Sequence, residues 1–380
     1  MYKIKRGSIT ISFSWVFMII VGAFFLYLAY NIIDNYQDIE NQKLELELQA
    51  AFRSDLATVG KSTGREQNSL RPLTLPFTGS LEVTCIGGEI PALNIDGRID
   101  ANNQYLRDYP VFMNYLTQDR VSSTFIIVEN YALPFSITPL LSIVSTKNLL
   151  IFDNQSDIWF NFRKKLEDES SYSSLSFTSY DFDSLGTLGD DLSGRAIDTI
   201  TFISDEGREL DIDLGSFREK AQHIQVNQTS TAREYQTGKI IFTKNNFNSD
   251  PKIFNFTEGR EGTMSIQMMA ILSSPDTFEC SYSLLFNQLV SSYNFYIQKT
   301  QIMSEKASNL CSARALNPSQ NYIRVKQKLE DVKGEILSYQ DEDTGEITMF
   351  KNPEMLKQLL LKLDSIYADR IEQFNCRYVY

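Results

Sequence analysis

A long apolar stretch without any charged residue occupies positions 8–33, near the start of the chain. As a helix this stretch spans about 39 Å, which is enough to cross a hydrocarbon core of about 30 Å. Basic residues precede it and acidic residues follow it, namely Lys3, Lys5 and Arg6 before and Asp34, Asp38 and Glu40 after. Because basic residues favour the cytoplasmic side, the pattern predicts a single-pass transmembrane helix with residues 1–7 in the cytoplasm and the remainder outside.

A cleaved secretory signal is the main alternative to this retained anchor. Such a signal has a shorter apolar core that is followed by small residues at the cleavage site. Here the apolar stretch instead ends in the bulky sequence LAYNIIDNY. Trp15 lies near one end of it and Tyr30 and Tyr36 lie near the other, as expected for side chains that anchor at membrane interfaces. These features favour retention of the helix.

Beyond the apolar stretch the pattern becomes a helical stripe. Large apolar residues recur three or four positions apart: Leu44, Leu48, Phe52, Leu56 and Val59. This spacing places them on one face of a helix, and Gly60 ends the pattern. We therefore predict an amphipathic stalk helix over residues 34–60, which either pairs with another chain or packs on the soluble domain of its own chain.

A short motif at the start of the apolar stretch resembles a known processing signal. The sequence from Arg6 to Phe13, RGSITISF, is similar to the class III signal of archaeal type IV pilins and related surface proteins, with the pattern R/K-G-Q-x-S-x-E-F. The resemblance covers about residues 1–35 and implies that a membrane peptidase cuts between Gly7 and Ser8. Ser12 stands where the family has the glutamate that helps subunits assemble. The alternative is an uncleaved anchor with a chance Arg-Gly pair.

Short apolar runs with β-type composition dominate the chain from about residue 73 to 273. We predict strands at Ser80–Ile86, Ser122–Val128, Leu149–Phe152, Ser174–Phe177, Thr199–Ile203, Ile224–Val226, Lys239–Thr243 and Met264–Leu272. Between Phe152 and Ser174 lies a helical pattern with Asp153 or Ser156 near its N-cap, so this segment reads as a βαβ unit. The predicted fold class is an extracytoplasmic mixed α/β core, for which a Rossmann-like sheet is one of the candidate arrangements.

The last part of the chain, residues 274–380, has a helical pattern and is predicted to pack on the α/β domain. Three predicted helices, 275–308, 318–338 and 353–375, each begin with a capping residue followed by proline, at Ser274-Pro275, Asn317-Pro318 and Asn352-Pro353. Proline loses no hydrogen bond at the first helical position, and serine or asparagine before it caps free amides. The sequence DEDTG at 341–345 predicts a β-hairpin between the last two helices.

Composition and charge limit the classes of partner. The chain has 380 residues and a formal net charge of -12. This charge argues against nucleic acid, because binding to phosphates needs a basic surface. A composition of 42% hydrophobic and 22% charged residues is that of an ordinary globular protein.

The cysteines predict structural disulfides on the outer side of the membrane. All of them lie beyond the apolar stretch: Cys85, Cys280, Cys311 and Cys376. An even number in an oxidising compartment favours disulfide bonds, although their pairing is not fixed by sequence. If the three C-terminal helices alternate in direction, Cys376 lies near Cys311, which leaves Cys85 for Cys280. A kinked or shortened first helix reopens the pair Cys280–Cys311, and free buried thiols are the other alternative.

Candidate modification and binding residues also lie on the predicted outer side. Asn154, Asn227 and Asn255 each begin an Asn-x-Ser/Thr sequon and are candidate glycosylation sites. The Asp-Ser-Gly-rich segment 178–195 is predicted to be a long loop and the place best suited to a ligand. Its acidic residues are interpreted as solvated carboxylates rather than a calcium site, and they are Asp181, Asp183, Asp190 and Asp191.

Sequence motifs for catalysis are lacking. His223 is the single histidine, and no neighbouring motif assigns it to a Ser-His-Asp or Cys-His arrangement, so we interpret it as a structural residue. We therefore predict no catalytic residue, no metal site and no cofactor.

These observations favour a membrane-anchored surface protein, archaeal in type, with a non-enzymatic role in adhesion, assembly or partner binding. Its expected partners are the membrane, through residues 8–33, and other surface or filament proteins. Two alternatives remain: a minor or tip pilin cut after Gly7, and an extracytoplasmic ligand-binding or enzymatic domain tethered to the membrane.

Overall fold

The computed structural model separates the chain into two compact units, Met1–Leu56 and Ala57–Tyr380. The residues that the structure describes are 17–36, 39–40, 43, 69–73, 79–86, 90–95, 98–99, 110–114, 116–118, 124–133, 136–168, 175–182, 185, 188, 192, 195–208, 210, 214–231, 235–244, 250–259, 264–306, 318–338, 358 and 361–362.

Helix α1, Phe17–Tyr36, is the described helix of the first unit, and it overlaps the predicted transmembrane stretch 8–33 over residues 17–33. Its length and apolar composition are sufficient to cross a membrane, and none of its most apolar window is buried within the protein. The processing candidates Gly7 and Ser8 and most of the predicted stalk lie outside the described residues. Lys43 is the last described residue of this unit and is helical.

Among its described residues the second unit contains three β-sheets together with α-helices, which confirms a mixed α/β fold. Its strands are β1 (Ser69–Leu73), β2 (Gly79–Ile86), β3 (Ile90–Ile95), β4 (Arg98–Ile99), β5 (Val111–Met113), β6 (Leu116–Gln118), β7 (Thr124–Ala132), β8 (Ser136–Ser145), β9 (Asn148–Asp153), β10 (Ser176–Tyr180), β11 (Thr199–Asp205), β12 (Ala221–Thr231), β13 (Tyr235–Lys244) and β14 (Lys252–Gly259). The large sheet has the order β10-β9-β11-β12-β13-β14, and the two smaller sheets have the orders β1-β7-β8-β5 and β4-β3-β2-β6.

The large sheet is parallel at one end and antiparallel at the other. Strands β10, β9, β11 and β12 are mutually parallel, and β13 and β14 follow as antiparallel hairpin strands. Successive side chains of β9 enter two different apolar cores, with Leu150 and Phe152 in one and Leu149 and Ile151 in the other. The sheet is therefore buried on both faces, as its nearly continuous apolar strands predict.

The predicted βαβ unit is present as β9, helix α2 (Asp157–Asp168) and β10. Ser156 caps α2, because its Oγ atom accepts a hydrogen bond from the backbone amide of Trp159 at 3.2 Å. Phe162 of α2 stacks on Phe152 of β9, with ring centroids 4.5 Å apart. This local cap and aromatic pair fix the helix on one face of the sheet.

Three further helices follow the large sheet: α3 (Ser265–Ile271), α4 (Pro275–Glu305) and α5 (Pro318–Leu337). Two of them match the predicted helices that begin at proline, and Ser274 caps α4 by accepting from the amide of Thr277 at 3.3 Å. The strand predicted at Met264–Leu272 is wrong, because these residues contain the fully buried helix α3. A continuous apolar run fits a buried strand and a buried helix equally well.

Two backbone carbonyls of the edge strand β14 accept hydrogen bonds from tyrosines. The hydroxyl of Tyr131 donates to the carbonyl of Thr257 at 3.0 Å, and the hydroxyl of Tyr282 donates to the carbonyl of Asn255 at 3.0 Å. Both tyrosines are buried. They connect β14 to strand β7 and helix α4, which lie in other parts of the unit.

Several predicted elements lie outside the described residues. The hairpin at 341–345 is one of them. Of the helix predicted at 353–375, residues 358, 361 and 362 are described, and they are helical. Lys362 forms an ion pair with Glu335 of α5.

Candidate functional site

The parallel part of the large sheet contains a change of direction in its chain order. Strand β9 comes first along the chain, β10 follows on one side of it, and β11 lies on the other side. The connection from β9 to β10 and the connection from β10 to β11 therefore run in opposite directions along the sheet, and they cover opposite faces of it. In open α/β sheets, a crevice forms at the carboxyl ends of the strands at such a switch point, and ligands bind there.

Polar side chains from several loops meet at this edge, which we call the carboxyl edge. It comprises the residues at and after the ends of β9, β10 and β11: Asp153, Asn154, Gln155, Asp157, Asp181, Asp205, Glu206 and Arg208. Hydrogen bonds link the loops to one another. The backbone amide of Asp157, at the start of α2, donates to Asp205 Oδ2 at 2.9 Å, and Gln155 Nε2 donates to Asp181 Oδ2 at 3.4 Å.

Arg208 and Asp153 form the inner part of the carboxyl edge. The Nε atom of Arg208 lies 3.3 Å from Asp153 Oδ2, and the Asp153 side chain is fully buried whereas that of Arg208 is 33% exposed. Arg208 Nη2 also donates to Gln155 Oε1 at 3.1 Å. Because a buried carboxylate needs a compensating charge, Arg208 is the internal counter-ion of Asp153.

A tight turn after β11 brings Arg208 back to the sheet. Gly207 adopts φ +88, a left-handed conformation that glycine adopts without strain. Gln225 Nε2 donates to the carbonyl of Arg208 at 2.5 Å, and Asn227 donates to the carboxylate of Glu206. Strand β12 therefore holds the turn in place from its side.

The outer part of the carboxyl edge is exposed and acidic. Asn154, Gln155, Asp157 and Glu206 are exposed, and Asp181 is partly exposed. Arg208 is the basic side chain that these loops contribute among the described residues, and it is already paired with Asp153. The exposed groups are mainly hydrogen-bond acceptors, so the edge is suited to a ligand that brings donors or positive charge. No group of three or more His, Cys, Asp or Glu residues is arranged to hold a metal ion within the described ranges.

His223 lies near the start of β12, opposite Phe202 and three positions before the end of β11, so it is not part of the carboxyl edge. Its Nε2 atom is 2.9 Å from Ser204 Oγ, and both residues are buried. Burial lowers the pKa of His223 to about 3. The ring is therefore neutral at pH 7 and its hydroxyl partner is not exposed to a substrate, which agrees with a structural histidine.

A second polar cluster is buried between the sheets. Lys165 Nζ of α2 lies 2.8 Å from Glu129 Oε1 of β7. Glu258 of β14 accepts hydrogen bonds from Gln236 Nε2 at 2.7 Å, from Gln267 Nε2 at 2.6 Å and from a backbone amide of α3 at 2.9 Å. Since all five residues are buried and have partners within the cluster, it joins the two sheets to α2 and α3.

The segment predicted as a long loop at 178–195 is only partly a loop. Its first residues belong to β10, and its described large side chains are buried in the core on the second face of the sheet: Phe182, Leu185, Leu188 and Leu192. Their spacing of three or four is a helical signal in the sequence that composition alone conceals. Asp181 does reach the carboxyl edge, whereas Asp183, Asp190 and Asp191 lie outside the described residues.

The three sequons differ in exposure. Asn154 is exposed at the carboxyl edge, and Asn227 is half-buried and bonded to Glu206. Asn255 is 3% exposed within β14, so the folded strand has no room for a glycan there. Asn154 is thus the sequon whose side chain is most available.

Cys280 is buried in α4 and is disulfide-bonded. The side chain of Cys85 and the whole of Cys311 and Cys376 lie outside the described residues.

No protein-family model, no curated protein and no solved structure matches the chain. The strand order of the large sheet and the carboxyl edge are therefore the basis for a functional inference.

Proposed function

We propose that this chain is a membrane-anchored surface protein whose second unit binds a protein partner at the carboxyl edge. The strand order β10-β9-β11-β12 carries the proposal, because it creates a switch point at which three loops converge. The Rossmann-like character expected from the sequence belongs to this proposal, in the sense of a parallel sheet covered on both faces. The anchoring helix α1 would keep the second unit at the outer surface, as the charges around residues 8–33 indicate.

The exposed chemistry of the edge defines the kind of partner. Asp157, Asp181 and Glu206 offer carboxylate oxygens, and Asn154 and Gln155 offer amides. Lysine or arginine side chains on a protein surface would complement these groups, and opposite charge also speeds encounter between partners. Binding, rather than catalysis, fits an edge without an accessible nucleophile paired to a base among its described residues.

Photo-cross-linking in cells of the native host tests the binding site. A photoreactive amino acid is placed at Gln155, and the matched control places it at Gln298, an exposed position of α4. We expect a discrete cross-linked product from position 155 that is absent from position 298 and is lost when Asp157 and Glu206 are both replaced by their amides. Equal products from the two positions, or no product from position 155, would reject the proposal.

The membrane orientation is tested separately. Protease added to intact cells is expected to digest the second unit and to leave a membrane-bound fragment that contains α1. A second unit that is protected until the cells are lysed would contradict an outer location. The intact mass of the native protein reports whether the chain is cut between Gly7 and Ser8. If the cut chain is found within filaments, the protein is a pilin subunit rather than a membrane-anchored surface protein.

A further inference from the structure

Helix α4 carries a disulfide-bonded cysteine in its second turn, and we infer that its partner is Cys85 of strand β2. Cys280 is fully buried and bonded. Its neighbours on the same side of the helix, Thr277 and Ser281, are buried as well and contact strands rather than solvent. The bond would therefore join α4 to the sheet β4-β3-β2-β6 beneath it.

Strand β2 passes this turn of the helix. The hydroxyl of Thr277 donates to the carbonyl of Val83 at 3.1 Å. Cys280 is one helical turn beyond Thr277, about 4.5 Å along the helix axis. Cys85 is two positions beyond Val83, about 6.6 Å along the strand, and alternation places the two positions on one face. Cys280 and Cys85 therefore each lie within about 7 Å, along their own element, of the contact between Thr277 and Val83.

The length of α4 excludes Cys311 as the partner. The helix is continuous from Cys280 to Glu305, which separates these residues by about 38 Å. The chain from 306 to 311 returns at most about 21 Å when fully extended. The Cα atoms of Cys280 and Cys311 therefore stay at least about 17 Å apart, whereas a disulfide needs less than about 7 Å. A shorter helix would have allowed this pair, whereas α4 runs without a break from Pro275 to Glu305.

Forming the bond requires an oxidant outside the cytoplasm. The two thiols lose two protons and two electrons as the Sγ–Sγ bond forms, and an exchanging disulfide of a thiol oxidoreductase takes them up and is reduced to two thiols. Such bonds persist in oxidising compartments and are rare in the cytosol. The bond is independent of the carboxyl edge, so it stands or fails separately from the proposed partner binding.

Peptide mapping of the full-length protein tests the pairing. The protein is extracted from native membranes, denatured in the presence of an alkylating reagent so that buried free thiols also react, and digested by trypsin without reduction. Cleavage after Arg98, Lys299, Arg314 and Arg370 puts the four cysteines in four different peptides. We expect a linked pair of peptides that contain Cys85 and Cys280 and that separates on reduction.

Matched variants make the outcome decisive. Cys85→Ser is expected to leave Cys280 open to alkylation, and Cys311→Ser is expected to leave the Cys85–Cys280 pair intact. A peptide that links Cys280 to Cys376, or an alkylated Cys280 in the unmodified chain, would overturn the inference.

Discussion

The Nε2 atom of His223 lies 2.9 Å from the Oγ atom of Ser204, between the adjacent parallel strands β11 and β12. Both side chains are buried, and burial lowers the pKa of His223 to about 3. In the unfolded chain the same ring titrates near its ordinary value of about 6.5. The folded state therefore excludes a proton that the unfolded state binds at mildly acidic pH.

We expect this difference to make the free energy of unfolding pH-dependent. The contribution of neutral His223 is complete above about pH 6.5 and falls by about 1.4 kcal/mol per pH unit as the pH decreases towards 3. Urea unfolding between pH 7.5 and 4.5 measures this contribution, and the variant His223→Asn, which cannot titrate, serves as the reference. The advantage of the unmodified chain over the variant should shrink at low pH, and parallel curves would mean that His223 accepts a proton in the folded state.

Glu258 should make the free energy of unfolding depend on pH with the opposite sign to His223. Burial raises its pKa to about 7, against the lowering effect of its hydrogen bonds with α3, Gln267 and Gln236 and of the nearby Lys165. Because the folded pKa exceeds the unfolded value of about 4.5, its contribution is complete below pH 4.5 and is lost as the pH rises through 7. The stability gap between the unmodified chain and Glu258→Gln is expected to narrow from pH 5 to pH 8. A constant gap would contradict a pKa of Glu258 that is raised in the folded state.

Gly238 of β13 should not tolerate a larger side chain. A Cβ atom at this position would collide with the carbonyl of Asn227 and would lie 2.6 Å from the ring of Phe256. Gly238→Ala is therefore expected to reduce the free energy of unfolding by about 3 kcal/mol, through overpacking between strands. The matched control is Gly334→Ala in α5, where a Cβ atom meets nothing within 4 Å. We expect this control to stabilise the protein by about 0.5–1 kcal/mol, as alanine does in a helix, and equal effects at the two sites would refute the strand packing.

Arg208 should stabilise the protein through its contact with Asp153. Arg208→Ala leaves a fully buried carboxylate without its counter-ion, and we expect a loss of about 2 kcal/mol, since Arg208 is one-third exposed. Arg195→Ala removes an exposed arginine and should change stability by less than about 0.5 kcal/mol. Chemical denaturation measures the free energy of unfolding of both variants and of the unmodified chain. If the two losses are equal, Asp153 does not depend on Arg208.

The sequence predicts those elements whose signals are local. Ser156 before α2 and Ser274-Pro275 before α4 are caps, and the structure places a helix after each. Strand β14 is not predicted, because polar residues such as Asn255 and Glu258 interrupt its apolar pattern. The burial of Glu258 depends on a partner that is distant in the chain, Gln236, which no local pattern reveals.

The carboxyl edge can be predicted only in part. The sequence places Asp181 in a binding loop, but Asp153 and Arg208 meet only because β9 and β11 are neighbours in the sheet. Neighbouring strands of a parallel sheet are separated in sequence by a crossover, so their order is a property of the whole fold. The switch point therefore becomes visible only in three dimensions.

The tyrosines that hydrogen-bond to β14 also affect how the large sheet would respond to a foreign extended peptide. An unprotected strand edge is a template for pairing with another chain. To pair with the carbonyls of Asn255 and Thr257 in β14, an incoming peptide would have to displace the buried hydroxyls of Tyr282 and Tyr131. Strand addition at β14 therefore competes with two buried hydrogen bonds that the folded chain already makes.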